Sequence, residues 1–139
     1  MLTVEEDWTK ASLESKVGRY FYLWEVTKGD PERAIRDRDI KARVLRLARL
    51  LDQVREDWGS PICVTSWYRP PAVNARVGGT PNSMHISGGA ADIYPCRGRG
   101  LEFEQWLDRR WQYALGRGQR SGRGFTHLDL REGRLRWDY

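Results

Sequence analysis

The 36 residues from Pro61 to Cys96 hold a single carboxylate, Asp92, and only two bases, Arg69 and Arg76. The flanks are crowded with charge. Residues 1–31 carry six acids and four bases, residues 32–60 six acids and eight bases, and residues 97–139 six acids and ten bases. A chain with this charge map turns its middle inward. Its one central carboxylate then demands a partner, because a buried carboxylate is costly unless it is paired, hydrogen-bonded or bound to metal.

At 139 residues the chain is one domain's worth, and a domain of this size buries roughly two thirds of its unfolded surface. With 40% apolar residues, disorder of the whole chain is excluded. No apolar run approaches the ~20 residues of a membrane span. Met1 to Lys10 is acidic and lacks the apolar stretch of a signal peptide, so synthesis in the cytoplasm is expected, with delivery to any other site left to a separate system. The net charge is +5, and 20 of the 24 bases are Arg. That bias suits carboxylate or phosphate partners, but the interspersed acids argue against nucleic acid. Cys63 and Cys96 are too few for a disulfide framework. They read as buried thiols in strands, a bond between the two segments being the alternative.

Ile40, Val44, Leu47, Ala48, Leu51, Val54 and Trp58 recur at steps of three and four, predicting a helix over about 39–58, capped by Asp37 or Asp39 and stopped by Gly59 and Pro61. Ile62 to Ser66 and Ala90 to Tyr94 read as buried strands, with a turn or short helix over Tyr68 to Ala75. Leu101 to Leu115 is predicted as a second helix ended by Gly116. Phe125 to Leu130 alternates as a strand, with Arg134 to Trp137 returning against it as a hairpin. The aromatic run Tyr20 to Val26 is expected to dock onto the sheet. These elements make an α+β fold, a small and mainly antiparallel sheet flanked by helices in one compact domain.

The chain has two histidines, His85 and His127. His85 lies seven residues before Asp92, with Gly88 and Gly89 between them to permit a tight reversal. Alternation places Phe125, His127, Asp129 and Arg131 on one strand face. A plain Asp129–Arg131 surface pair is the simpler reading of that face. Together, two imidazoles and one carboxylate from separate strands form a common catalytic zinc set with a position left open.

The segment SWYRPPAVNARVGGTPNSMHISGGAADIYP, followed by a distal His on a strand, resembles the core of zinc D-alanyl-D-alanine carboxypeptidases and related peptidoglycan peptidases, including phage endolysin L-alanyl-D-glutamate endopeptidases. The matching positions are Ser66, Tyr68, Arg69, Gly78, Gly79, Ser83, His85, Asp92 and His127, within a core of 20–131 preceded by an extension over 1–19. The resemblance implies one Zn2+ per chain held by His85, Asp92 and His127. It also implies Arg69 on the substrate's carbonyl or carboxylate, Ser83 and Tyr68 as substrate contacts, and a peptidoglycan stem peptide as partner of a monomeric enzyme. Where several family members carry an acid three residues before the distal His, this chain has Gly124; where another branch has a second His two residues before it, this chain has Phe125. The chain instead resembles a branch with a His-x-Asp strand, which implies Asp129 as the candidate base or metal-water partner, or else as a residue that orients His127 or pairs with Arg131. Glu25 is a weaker candidate. Loss of the base keeps open a second reading, a metal-binding cell-wall or partner-binding module without strong hydrolysis. The Arg-rich loop Gly116 to Gly124 reads as a solvated rim, with carboxylate binding as the alternative.

Overall fold

The computed structural model covers residues 1–139 as a single α+β domain. Four helices, α1 (Leu23–Thr27), α2 (Arg38–Trp58), α3 (Pro71–Arg76) and α4 (Gly100–Arg110), accompany five strands: β1 (Ile62–Ser66), β2 (Ala90–Pro95), β3 (Ala114–Arg117), β4 (Thr126–Asp129) and β5 (Arg136–Asp138). The strand order is β1-β2-β4-β3-β5, antiparallel throughout except for the parallel β3–β5 pair. No helix is long and apolar enough to cross a membrane.

The periodicity of α2 is realised as predicted. Val44, Leu47, Ala48 and Leu51 are fully buried, and each such leucine stabilises the fold by roughly 1.5–3 kcal/mol relative to exposure. The Asp37 carboxylate accepts the Ile40 N–H at 3.0 Å, and Gly59 ends the helix in the left-handed region at φ 79°. Ala91 and Ile93 of β2, Leu115 of β3 and Leu128 of β4 meet α2 and Phe103 and Leu107 of α4 in one core. Leu2, Trp8 and Val17, from the stretch expected as an extension, belong to the same core. The aromatic run docks through Phe21, whose ring meets Trp67 edge-on at 6.1 Å, and through the Val26 carbonyl, which accepts the Tyr68 N–H at 3.2 Å.

Three expectations are corrected. The last helix stops at Arg110 rather than Leu115. Trp111 turns extended (ψ 125°), its indole N–H donates to the Ala114 carbonyl at 3.0 Å, and Ala114 to Arg117 become β3. The Arg134–Trp137 segment does not form a hairpin with the strand before it. Both edges of β4 are taken, by β2 and β3, so β5 adds to the free edge of β3. The Arg136 guanidinium fixes that path by donating to the Asp108 carboxylate at 2.6 Å and the Trp111 carbonyl at 2.7 Å, at the end of α4.

The third correction concerns the cysteines. Antiparallel pairing of β1 with β2 brings the Cα atoms of Cys63 and Cys96 to 5.2 Å, and the two are joined in a disulfide. The bond closes a loop with a sequence separation of 33. Reduction is expected to cost about 4 kcal/mol by freeing the unfolded chain. Denaturant unfolding with and without reductant measures this, and coincident curves would refute it.

Candidate metal centre and its cleft

Asp92 and His127 are register partners on neighbouring strands. They share the sheet face opposite the one that sends Ile93 and Leu128 into the core. His85 arrives from outside the sheet, on a single helical turn over Met84–Ser87. The Ser83 hydroxyl starts that turn by accepting the His85 N–H at 3.2 Å. Gly88 ends it at φ 81°, where a Cβ would also press on Ile40 and Val44 of α2 at 3.0 Å. Position 88 therefore needs glycine twice over, for its backbone angle and for the approach of α2.

Each imidazole is pinned on its far nitrogen by a group that only accepts. His85 Nδ1 lies 2.6 Å from the Trp67 carbonyl oxygen, and His127 Nε2 lies 2.8 Å from Asp129 Oδ2. With the far nitrogens protonated, the near nitrogens of neutral imidazoles present lone pairs. His85 Nε2 and His127 Nδ1 face the same oxygen, Asp92 Oδ1, at 3.2 and 2.9 Å. One donor atom from each of the three residues lies within 4.8 Å of the others, and all three residues are buried. Lone pairs converging on a carboxylate call for a positive charge between them. The donor set fits a metal ion: His85 Nε2, His127 Nδ1 and an Asp92 oxygen would hold it.

In the other protonation state the imidazoles themselves carry the positive charge that faces Asp92. Burial alone would raise the Asp92 carboxyl, but hydrogen bonds from His127 and His85 outweigh it and hold Asp92 well below the usual carboxylate range. Burial disfavours the His127 imidazolium, yet Asp129 and Asp92 reverse this and raise its pKa above the ordinary histidine value.

The site opens into a cleft of about 670 Å³. Arg69, Ser83, His85, Asp92 and His127 all line it. Arg69 is half-buried with its Nε unpartnered, and its backbone N–H donates to the His85 carbonyl at 3.1 Å. Tyr68, expected as a substrate contact, does not line the cleft. It is 7% exposed and packs into the core beside Trp67. Asp129 also stays out of the cleft. It is fully buried behind His127, with Oδ1 accepting from the backbone N–H and Nε of Arg131 at 3.0 Å and Oδ2 accepting from its Nη2 at 2.9 Å. Asn74 sits under the Gly79 turn and donates to the Thr80 carbonyl at 2.7 Å. Glu25 caps its own helix, accepting the Tyr22 N–H at 3.1 Å.

The sequence profile of the peptidase M15 family matches residues 24–129. The chain belongs to the peptidase M15 family. The match runs from α1 to the end of β4, so it includes all three candidate ligands of this M15 chain, together with Arg69 and Ser83. No curated protein matches the chain.

Three cleft residues of the M15 chain escape a reading of the sequence: Arg123, Trp137 and Tyr139. Arg123 comes from the loop expected as a solvated rim, and its guanidinium lies 6.0 Å from the Tyr139 ring centroid. Trp67 is a fourth omission. It holds the His85 turn at both ends, through its carbonyl on His85 and its indole N–H on the Gly88 carbonyl at 3.1 Å.

Proposed function

We propose that this M15 protein is a zinc-dependent peptidase that hydrolyses a D-Ala-containing or an L-Ala–D-Glu bond in peptidoglycan stem peptides. The observation that carries the reading is the convergence of two imidazoles on Asp92 at the floor of an open cleft. Zinc in that position supplies Lewis acidity to a water and to the scissile carbonyl.

The chain's own residues do the rest. The Arg69 guanidinium, half-buried with a free donor, stabilises negative charge developing on the attacked carbonyl oxygen. Ser83 sets the His85 turn and offers its hydroxyl at the cleft wall. Asp129 acts through His127, holding its Nε2–H. The Cys63–Cys96 bond supports action outside a reducing cytoplasm, where such bonds persist.

One observation favours a second reading, a metal-binding wall module with weak hydrolysis. Asp92 is the sole carboxylate lining the cleft, so no separate acid stands ready to move a proton to the leaving amine.

The test is digestion of defined stem peptides, with free and with blocked C-termini, by zinc-loaded protein. Cleavage is expected, and Arg69→Lys is expected to lower kcat/KM by about 10²–10³-fold, the cost of losing one oxyanion donor. Zinc uptake without cleavage of any peptide would favour the wall module. An unchanged rate in Arg69→Lys would remove Arg69 from the mechanism.

A further inference from the structure

Strand β5 lies beyond the stretch matched by the M15 profile, yet its Trp137 rests against a candidate ligand. The Trp137 and His127 ring centroids are 5.3 Å apart with planes at 53°. The indole reaches His127 by crossing β3. Gly116 is the register partner of His127 on one side and of Trp137 on the other, so the row Asp92, His127, Gly116, Trp137 runs across four strands on one face. A Cβ at Gly116 would lie 2.7–2.8 Å from three atoms of the indole. Gly116 has no positive φ, so its backbone would admit alanine. The ring is what requires glycine here.

Arg131 closes the arrangement. Its guanidinium lies 5.3 Å from the Trp137 ring centroid and donates to Asp129, which in turn holds His127 Nε2–H. The imidazole is thus held at one nitrogen by a carboxylate and across its ring by an indole, with Arg131 joining the two supports. The Asp129 and Asp92 contacts act at the two ring nitrogens, at the edge of the ring, whereas the indole packs against its face, and the broad outer torsion of a histidine side chain leaves that face to be held by packing.

We propose that Trp137, admitted by the missing side chain of Gly116, is a positioning residue that fixes the plane of His127 and so aims its Nδ1 at the point where Asp92 and His85 Nε2 converge. Its consequence for zinc rests on the function proposed above; its effect on the ring does not.

The experiment therefore reads both. With two histidines in the chain, the imidazole carbon signals of metal-free protein are separable by NMR. In the wild type the indole ring current displaces the His127 signals, and the ring has a high order parameter. In Trp137→Ala the displacement is lost, the order parameter falls, and zinc titration shows affinity weakened by about tenfold, within the range for outer partners of metal-binding histidines. Trp137→Phe restores most of the order and most of the affinity. Gly116→Ala, which keeps the indole but pushes it aside, weakens zinc in the wild-type background and has no effect in Trp137→Ala, where nothing is left to displace. That pair of variants also decides the matter if Trp137→Ala fails to fold, since Gly116→Ala and Trp137→Phe must then differ in the predicted order. Unchanged ring order and unchanged zinc affinity in Trp137→Ala or Gly116→Ala overturn the proposal. A wild type that takes up no zinc, but whose His127 ring loosens in Trp137→Ala, sinks the zinc reading and upholds the positioning role.

Discussion

His127→Ala is expected to purify without zinc, where the wild type carries about one ion per chain, as a single three-ligand site would hold. The loss should go well beyond the roughly 10–100-fold that removal of an outer partner costs, because a donor atom itself is gone. The geometry makes this a sharp test. His127 Nδ1 is one of two nitrogens facing Asp92 Oδ1, at 2.9 Å, and the remaining pair of His85 and Asp92 is an incomplete set. The same truncation also leaves the buried Asp92 and Asp129 carboxylates without the imidazole that stood between them. Melting of the metal-free variant must therefore be measured beside metal content, to separate lost folding from lost binding. Asp129→Asn supplies the intermediate case. Its amide keeps the shape but not the charge, so zinc affinity should fall only by the outer-partner amount of about 10–100-fold. Elemental analysis after dialysis against a weak chelator, followed by calorimetric titration, reads both variants. A folded His127→Ala chain that keeps its zinc would remove His127 from the site and the proposed function with it.

The candidate ligands were legible because scarcity marks them. His85 and His127 are the only histidines and Asp92 the only carboxylate between Pro61 and Cys96, so any buried polar chemistry in the middle of this chain had to involve them. The helix α2 was legible because one apolar stripe repeats over 21 residues, long enough for its period to be unambiguous. β3 was hidden for the opposite reason. Ala114 and Leu115 extend the apolar spacing of α4 by one more turn, and whether they continue the helix or pair as a strand depends on the open edge of β4, which is set far away in sequence. The β5 pairing and the disulfide are non-local in the same way, since both follow from strand order and register rather than from neighbouring residues. Trp67 and Trp137 were invisible as site residues on other physical grounds. Trp67 holds His85 through a backbone carbonyl, which no side-chain pattern encodes, and Trp137 gains its role only once Gly116 lies between it and His127. The two readings of Asp129 likewise differ by geometry. Alternation placed it on the face of His127, but only the enclosing contacts of Arg131 show both its oxygens engaged.

Glu104→Ala is expected to destabilise the fold by on the order of 4 kcal/mol, from three lost hydrogen bonds to a charged acceptor at roughly 1.5 kcal/mol each. Glu104 is 1% exposed on α4, a buried carboxylate outside the candidate metal-ligand group. It holds the Arg-rich loop to the core. Its oxygens accept the Gln119 and Arg120 backbone N–H groups and the Thr126 hydroxyl, all at 2.8 Å. No basic side chain pairs with it, so the three donors are what compensate its burial. Truncation leaves those donors without their acceptor inside the protein. The effect must reach the site, because Thr126 begins the strand whose next residue is His127, and the loop that Glu104 anchors delivers Arg123 and Phe125 to the cleft wall. Glu104→Gln separates charge from shape. It keeps one acceptor oxygen but sets an amide NH₂ group against N–H donors, so it should recover only part of the loss. Denaturant unfolding with the disulfide intact gives the stability change, and zinc titration of the folded fraction gives the coupling to the centre. A Glu104→Ala chain as stable as the wild type would mean that the loop finds other acceptors, and its connection to His127 would fall with that result.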